Sequence, residues 1–175
     1  MNDPRYPIGR FEEPPAYGPD VRAAFLTQIE EAPARLRQAV YGLAPFQLDT
    51  PYRDEGWTVR QVVHHVGDSH MNAFVRFKLA VTETEPLIKP YDEKAWAELA
   101  DSKAGDVELS LDLLAALPRQ WLVLLRSLAE PQFARTFRHP ERGVMTLDRN
   151  LALYAWHGQH HTAHVTSLRE RMGWN

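Results

Sequence analysis

Cysteine is absent from this chain of 175 residues. Its absence excludes disulfide bonds, thiolate metal ligands and a cysteine nucleophile, and it is compatible with a reducing cytosol. If the protein holds a metal ion, its ligands must therefore come from histidine, aspartate or glutamate.

Long apolar runs and basic blocks are also missing. The longest apolar stretches, residues 113–117 and 121–125, are far shorter than the roughly 20 residues that cross a bilayer. Lysine and arginine total 20 against 23 acidic residues, a net charge of -3, so nucleic acid is not an expected partner. The first 20 residues carry no apolar signal core. We therefore expect a cytoplasmic protein with neither a membrane nor nucleic acid as partner.

The apolar residues that are present make up 44% of the chain, enough for one core. We expect a single domain over residues 1–175. Residues 1–19 are rich in proline, which predicts an extended N-terminal arm on the surface, where it could pack on a partner subunit.

Four long helical patterns follow the arm. The first is capped by Asp20 and carries Pro33 inside it, which favours a kinked helix; the second has the best-defined start, a Thr-x-x-Gln capping box at Thr58. A third follows a polar loop and contains Pro118, and the last begins near residues 146–148 and ends at Gly173. The mixed sequence of residues 133–144 predicts either a loop or a short hairpin. These patterns predict an all-α four-helix bundle with long connections.

Histidine is concentrated in two of these helices. Seven of the eight histidines form two clusters, which are His64, His65 and His70 in the second helix and His157, His160, His161 and His164 in the fourth. His160 and His164 are one helical turn apart on the edge of the apolar face, a spacing that suits joint ligation of one ion. His65 occupies the matching flank of its own helix.

Other assignments have the same spacing. The pair His157 and His161 also lies one turn apart, and periodicity alone does not choose between the two pairs. His139, isolated in a loop, is expected to be solvated. Asp68, close to one turn beyond His65, could orient that imidazole, although a solvated carboxylate is the simpler interpretation.

The residues resemble a known family in segments spread over nearly the whole chain. These are YPIG at 6–9, DTPYRD at 49–54, GWTVRQVVHHVGDSHMN at 56–72, RFKL at 76–79, PYDEKAW at 90–96 and WHGQHHTAH at 156–164. Their order and spacing are similar to the YfiT group of the DinB superfamily. The resemblance implies an up-down-down-up four-helix bundle, commonly a homodimer, with zinc or nickel held by three histidines, which it places at His65, His160 and His164.

The resemblance also implies a function. Members are described as metal-dependent hydrolases, and relatives act as thiol S-transferases with bacillithiol. A divalent ion with an open coordination position lowers the pKa of water or of a thiol, so both reactions need the same ligands. The most specific hypothesis is a bacillithiol S-transferase acting on electrophiles. Its rivals are a non-catalytic metal-binding or stress-response bundle, in which a fourth protein ligand such as His70 or His161 closes the site, and a metal-free interaction bundle. The sequence assigns no substrate-binding role to Arg76, Tyr91, Trp96 or Arg149.

Overall fold

A computed structural model describes residues 3–174, which fold mainly into helices. The four long helices are α1 (Pro19–Val40), α3 (Val59–Thr82), α6 (Val107–Ser127) and α7 (Leu147–Met172). Shorter elements connect them, namely α2 (Pro45–Leu48), α4 (Glu93–Ala97), α5 (Ala100–Ala104), a 3-10 helix (Glu130–Ala134), β1 (Thr136–His139) and β2 (Gly143–Thr146).

Side-chain contacts fix the directions of the long helices. Arg22 bonds Asp148 near the starts of α1 and α7, and Arg169 bonds the Ala39 carbonyl near their ends, so these two helices are parallel. Helix α6 runs against α1, since Arg37 contacts Asp112 while Arg126 contacts Glu30.

The second helix completes the topology. His64 of α3 contacts Ser110 near the start of α6, and Phe77 packs on Trp121 further along both, so α3 and α6 are parallel. The order is therefore up-down-down-up, as the resemblance implied. The parallel α3–α6 pair requires a long crossover, and residues 83–106 with α4 and α5 provide it.

Most predicted helix ends are confirmed. The Thr58 hydroxyl accepts a hydrogen bond from Gln61 N at 3.2 Å, while Gln61 Oε1 accepts one from Thr58 N at 2.9 Å. Gly173 ends α7 in the left-handed conformation at φ 65°. The start of α1 differs from the prediction, because Gly18 is the N-cap and Pro19 the first helical residue, which places Asp20 inside the first turn. Helices α1 and α6 continue through their interior prolines.

Residues 133–144, left open between a loop and a hairpin, belong to the 3-10 helix and an antiparallel hairpin. Phe137 of β1 pairs with Met145 of β2, and both side chains are buried. The crossover joins this hairpin, since Ile88 N donates to the Arg138 carbonyl at 3.0 Å and Arg138 N to the Pro86 carbonyl at 2.9 Å. The hairpin thereby fixes the start of the crossover beside α7.

Two apolar clusters stabilise the bundle, one toward each end. One contains Phe77, Trp121 and Leu151 with their neighbours, and the other contains Val62, Leu111 and Leu168 with theirs. Along α7 the histidines lie between the two clusters, whereas His64 and His65 of α3 lie within the span of the second cluster, between Val63 and Val66. Both clusters consist of apolar side chains, so each end of the bundle has an apolar core that does not depend on the histidines.

Residues 3–18 contain no helix or strand. They lie on α7 of the same chain, where the Phe11 ring is 6.0 Å from that of Trp156 and the Tyr6 ring is 6.1 Å from that of His160. Within residues 3–174, none of the helices has the length and hydropathy needed to cross a membrane.

Candidate metal centre

Three imidazoles meet where α3 faces α7, that of His65 from α3 and those of His157 and His161 from α7. One ring nitrogen of each lies within 4.8 Å of one from both others. The rings of His157 and His161, one turn apart, have centroids 4.4 Å apart, and the His65 ring is 4.8 Å from that of His161. In residues 3–174 this is the one group of three or more histidine, aspartate or glutamate side chains so arranged.

The spacing between the ring nitrogens of His65 and His157 fits a metal ion. Two nitrogens each about 2.0–2.1 Å from a tetrahedral ion are about 3.3 Å apart. Nε2 of His65 is 3.3 Å from Nε2 of His157, which is longer than a typical nitrogen hydrogen bond. Three imidazoles supply three ligands, so one position of a tetrahedral ion would face the surroundings.

His160, predicted as a ligand, does not belong to this group. It lies about 60° around the helix axis from His157, since successive residues advance by about 100°. Its ring stacks on Trp156 with the centroids 4.2 Å apart, on the side of α7 that the N-terminal residues cover. His160 therefore packs against aromatic neighbours and not toward His65.

His164, the other predicted ligand on α7, lies about two turns beyond His157. Its ring stacks on that of Tyr52 at 4.0 Å, and its Nε2 donates to the Arg5 carbonyl at 3.2 Å. The structure thus brings His65 together with His157 and His161, the rival pair of the same spacing, and not with His160 and His164.

Burial keeps the clustered imidazoles neutral. It lowers the pKa of His65 to about 3, with smaller contributions from the charges of His70 and His164. Burial likewise lowers the pKa of His157 and His161 well below the ordinary value of 6.5, and the neighbouring imidazoles add to the effect. Neutral imidazole is the form that binds metal, so the cluster is in its ligating state at neutral pH.

The remaining histidines have other surroundings. His64 faces α6, where its Nδ1 is 2.7 Å from Ser110 Oγ. His70 is fully buried against Trp121 and Tyr154, with both nitrogens lacking a hydrogen-bond partner among residues 3–174. The prediction that His139 is solvated is wrong, because it is only 6% exposed at the end of β1.

A cavity of about 590 Å³ opens beside the cluster, and His65, His157 and His161 form part of its wall. This volume lies in the range of small-molecule sites. Trp57, whose ring is 4.6 Å from that of His65, lines this cavity and also a second one of about 710 Å³ that borders His160 and His164. Tyr6 of the N-terminal segment borders both.

The wall continues along both helices with residues that the sequence interpretation did not single out. Ser69 of α3 and Tyr154 and Asn150 of α7 line the cavity, and Ser69 Oγ donates to Tyr154 Oη at 3.4 Å. A signal was available, because residues 150, 154, 157 and 161 follow the spacing of one helix face. His139 enters the wall from the hairpin, which helical periodicity does not register.

The four residues to which the sequence assigned no substrate-binding role lie in different places. Arg76 and Tyr91 line the cavity, and the Trp96 ring packs on that of Tyr91 at 4.5 Å. Arg149 points elsewhere and pairs with Glu13 at 2.9 Å. Asp68 forms no hydrogen bond with His65, whose Nε2 faces His157.

Comparison with known proteins places this site in context. The family model of the DinB superfamily matches residues 28–165. The protein named "Putative metal-dependent hydrolase YfiT" from Bacillus subtilis is 52% identical over 171 residues, which are 97% of this chain and 96% of that protein. A similarly named protein from Bacillus mycoides is 53% identical over 174 residues, 99% of this chain and all of that one.

Solved structures of two other proteins have the same fold as this chain. The structure of YfiT from Bacillus subtilis, described as a probable metal-dependent hydrolase with an unusual four-helix bundle topology, superposes with a TM-score of 0.96 at 51% identity. The match covers 98% of this chain and 99% of that one. Another four-helix bundle protein, 21% identical with a TM-score of 0.56, shares the fold.

Proposed function

The chain belongs to the DinB superfamily, and from that premise we propose that it is a divalent-metal-dependent enzyme whose ion, zinc or nickel, is held by His65, His157 and His161. One observation carries the proposal: the ring nitrogens of three neutral imidazoles lie within 4.8 Å of one another in the wall of a cavity large enough for a small molecule. The hydrolase names of the relatives support a metal-dependent reaction.

The surroundings of the cluster suit an open, reactive site. A divalent ion acts as a Lewis acid that lowers the pKa of water or of a thiol. Trp57 packs on the His65 imidazole and lines the cavity with Tyr6, while the two apolar clusters hold the helices that carry the imidazoles. Rigid placement of this kind keeps the three nitrogens in one geometry during turnover.

The specific reaction that we propose is S-transfer from bacillithiol to an electrophile such as an epoxide. The thiol S–H bond breaks, a bond forms between sulfur and an epoxide carbon, the C–O bond of the epoxide opens, and the thiol proton ends on that oxygen. The chain has no cysteine, so the sulfur nucleophile must come from a small molecule. With water as nucleophile, the same site would hydrolyse its substrate.

A closed structural metal site is the non-catalytic rival, and the side-chain arrangement disfavours it. His70 was a possible fourth ligand, but its ring centroid is 6.2 Å from that of His157 and it does not join the group of three. Structural zinc sites have four protein ligands, whereas catalytic sites keep one position for substrate.

A thiol-consumption assay tests the proposal. Metal-loaded protein is incubated with bacillithiol and a model epoxide, beside chelator-treated protein and His157→Ala. We expect thiol loss only with the loaded wild type. Turnover of an ester or amide panel without thiol loss would select the hydrolase, and no turnover in either assay would select the non-catalytic bundle.

A further inference from the structure

Asn150 is a buried amide in the cavity wall whose hydrogen-bonding groups are unused. The residue is 0% exposed, and neither Oδ1 nor Nδ2 has a hydrogen-bond partner among residues 3–174. Leaving a buried polar group unpaired costs about 1–3 kcal/mol, and native proteins pair nearly all of them. Because Asn150 borders the cavity, a molecule bound there can supply the missing partners.

Arg76 is a second residue of the same wall with an unused hydrogen-bond donor. Its Nη1 donates to Tyr154 Oη at 3.3 Å, while its buried Nε has no partner. In the part of the chain that the structure describes, no aspartate or glutamate forms an ion pair with it. Glu93 and Glu141 border the cavity too, but both are exposed to solvent.

His139, which borders the same cavity, does not add a second positive charge beside Arg76. Burial is the main cause that lowers the pKa of His139, and the positive charge of Arg76 is the next. The imidazole is therefore neutral near pH 7, and its Nδ1 accepts a hydrogen bond from Glu141 N at 3.2 Å. Arg10 and Arg142 also border the cavity, but both are exposed to solvent, whereas the guanidinium of Arg76 is half-buried.

The two groups line the same cavity as the histidines, further along α3 and α7. Helices α3 and α7 are antiparallel here, so that Ser69 and Arg76 follow His65 on one side of the cavity while Tyr154 and Asn150 precede His157 on the other. The guanidinium reaches the hydroxyl of Tyr154, which also contacts Ser69, one turn from His65. The guanidinium of Arg76 therefore lies one to two helical turns, about 6–11 Å, from the histidine cluster.

We infer that Arg76 and Asn150 bind a carboxylate of the molecule that reacts at the histidine cluster. The guanidinium fork matches a carboxylate, and Asn150 Nδ2 donates to the same group. Asn150 Oδ1 then accepts from a neighbouring hydroxyl or N–H of that molecule. This inference rests on the proposed function, because the other end of the molecule is the one that reacts at the histidine cluster. The substrate class is then a small acid whose reactive atom lies about 6–11 Å from its carboxylate.

Calorimetry with two matched thiols tests this inference. Metal-loaded wild type is titrated with 6-mercaptohexanoate and with 6-mercaptohexanol, which differ only in the terminal carboxylate. We expect the acid to bind at least tenfold more tightly. Arg76→Gln should abolish that preference and leave the affinity for the alcohol unchanged, whereas Arg76→Lys should restore part of it.

Arg119→Gln is the matched control, because it removes the same charge from an exposed position that does not border the cavity. It should keep the full preference. If Arg76→Gln does not fold, Asn150→Asp takes its place and should weaken binding of the acid far more than of the alcohol. Equal affinities in the wild type, or an undiminished preference in the folded variants, would overturn the inference.

A metal-free experiment separates this inference from the proposed function. Hexanoate is titrated into chelator-treated wild type and Arg76→Gln, and NMR shifts report binding. Saturable binding that requires Arg76 supports the carboxylate site even if no metal binds to the protein. A protein that binds metal but shows no Arg76-dependent binding of hexanoate would retain the proposed function and lose this inference.

Discussion

His157 and His161 face α3 because they share one side of α7 with Asn150 and Tyr154. Residues seven and eleven positions apart return to nearly the same side of a helix, since 3.6 residues complete each turn. Antiparallel packing brings His65 level with the two histidines. The four nearby imidazoles of α7 are thereby divided between the pair that meets His65 and the aromatic packing of His160 and His164.

Metal content should distinguish the two pairs. We expect His157→Ala and His161→Ala to lose nearly all bound metal, whereas His160→Ala retains about one ion per chain. Elemental analysis of the purified variants measures this, with circular dichroism as a check that helicity persists. One tightly bound ion in His157→Ala, or its loss in His160→Ala alone, would contradict the ligand assignment.

Asp68 should make stability depend on pH. Burial, followed by the charge of Asp101, raises the pKa of Asp68 from 3.8 to about 6. The folded state thus binds the proton more tightly than the unfolded chain does, so the free energy of unfolding falls as pH rises from about 4 through 6. Asp68→Asn should match wild type at pH 4 and be more stable at pH 7.5.

Urea unfolding at the two pH values measures this difference. Because other carboxylates titrate in the same range, the informative quantity is the wild-type value minus that of Asp68→Asn at each pH. The gain from Asp68→Asn should shrink in an Asp101→Asn background, where the second cause is absent. A difference between wild type and Asp68→Asn that does not change with pH would show that the carboxyl group titrates normally.

At the scale of the element, the start of α3 positions His65. The reciprocal bonds between Thr58 and Gln61 satisfy two backbone N–H groups at the first turn, and Gln61 Nε2 also donates to the Ala97 carbonyl at 2.8 Å. The capping box therefore joins the helix that carries His65 to α4 of the crossover.

Loss of this cap should destabilise the protein. Thr58→Ala removes the side-chain acceptor and should lower the free energy of unfolding by about 1 kcal/mol. Thr82→Ala, at the exposed other end of α3, is the control and should change it by less than about 0.5 kcal/mol. Urea denaturation measures both, and equal effects would mean that the capping box contributes little.

At the scale of the whole molecule, one buried ion pair joins the first and last long helices. Arg22 bonds both carboxylate oxygens of Asp148 at 2.7 and 2.9 Å, and their side chains are 11% and 10% exposed. Arg22 also reaches Glu130 and lies over the Phe133 ring. The pair thus holds the start of α1 against α7 and the 3-10 helix.

Asp148→Ala leaves Arg22 with only the exposed Glu130 as an ionic partner. Removing one partner of a buried pair strands the other charge, so we expect a loss of about 3 kcal/mol in the free energy of unfolding. Glu31→Ala removes the exposed Arg35–Glu31 pair and should cost less than about 0.5 kcal/mol. Comparable losses in the two variants would argue against a structural role for the buried pair.

The homodimer implied by the family resemblance stays a prediction. Light scattering on the purified protein measures the mass in solution, and we expect twice that of one chain. The mass of a single chain at micromolar concentration would contradict it.

The sequence by itself determined the fold class, the starts of α3 and α7 and the histidine-rich character of the site. Helical periodicity and capping residues are local patterns, so they can be recognised in the sequence without knowledge of the tertiary structure. Thr58 and Gly173 act as predicted for this reason, and Thr146 is the N-cap of α7, within the range 146–148 predicted for its start. The family resemblance added the up-down-down-up topology, which local patterns do not contain.

Only the tertiary structure decided which histidines converge. Two pairs on α7 have identical spacing, and the choice between them depends on the rotation and height of α7 relative to α3. That relation is set by contacts distant in sequence, including Arg22 with Asp148 and Phe77 with Trp121. The burial of His139 and the unpaired groups of Arg76 and Asn150 likewise arise only when hairpin, α3 and α7 enclose one cavity.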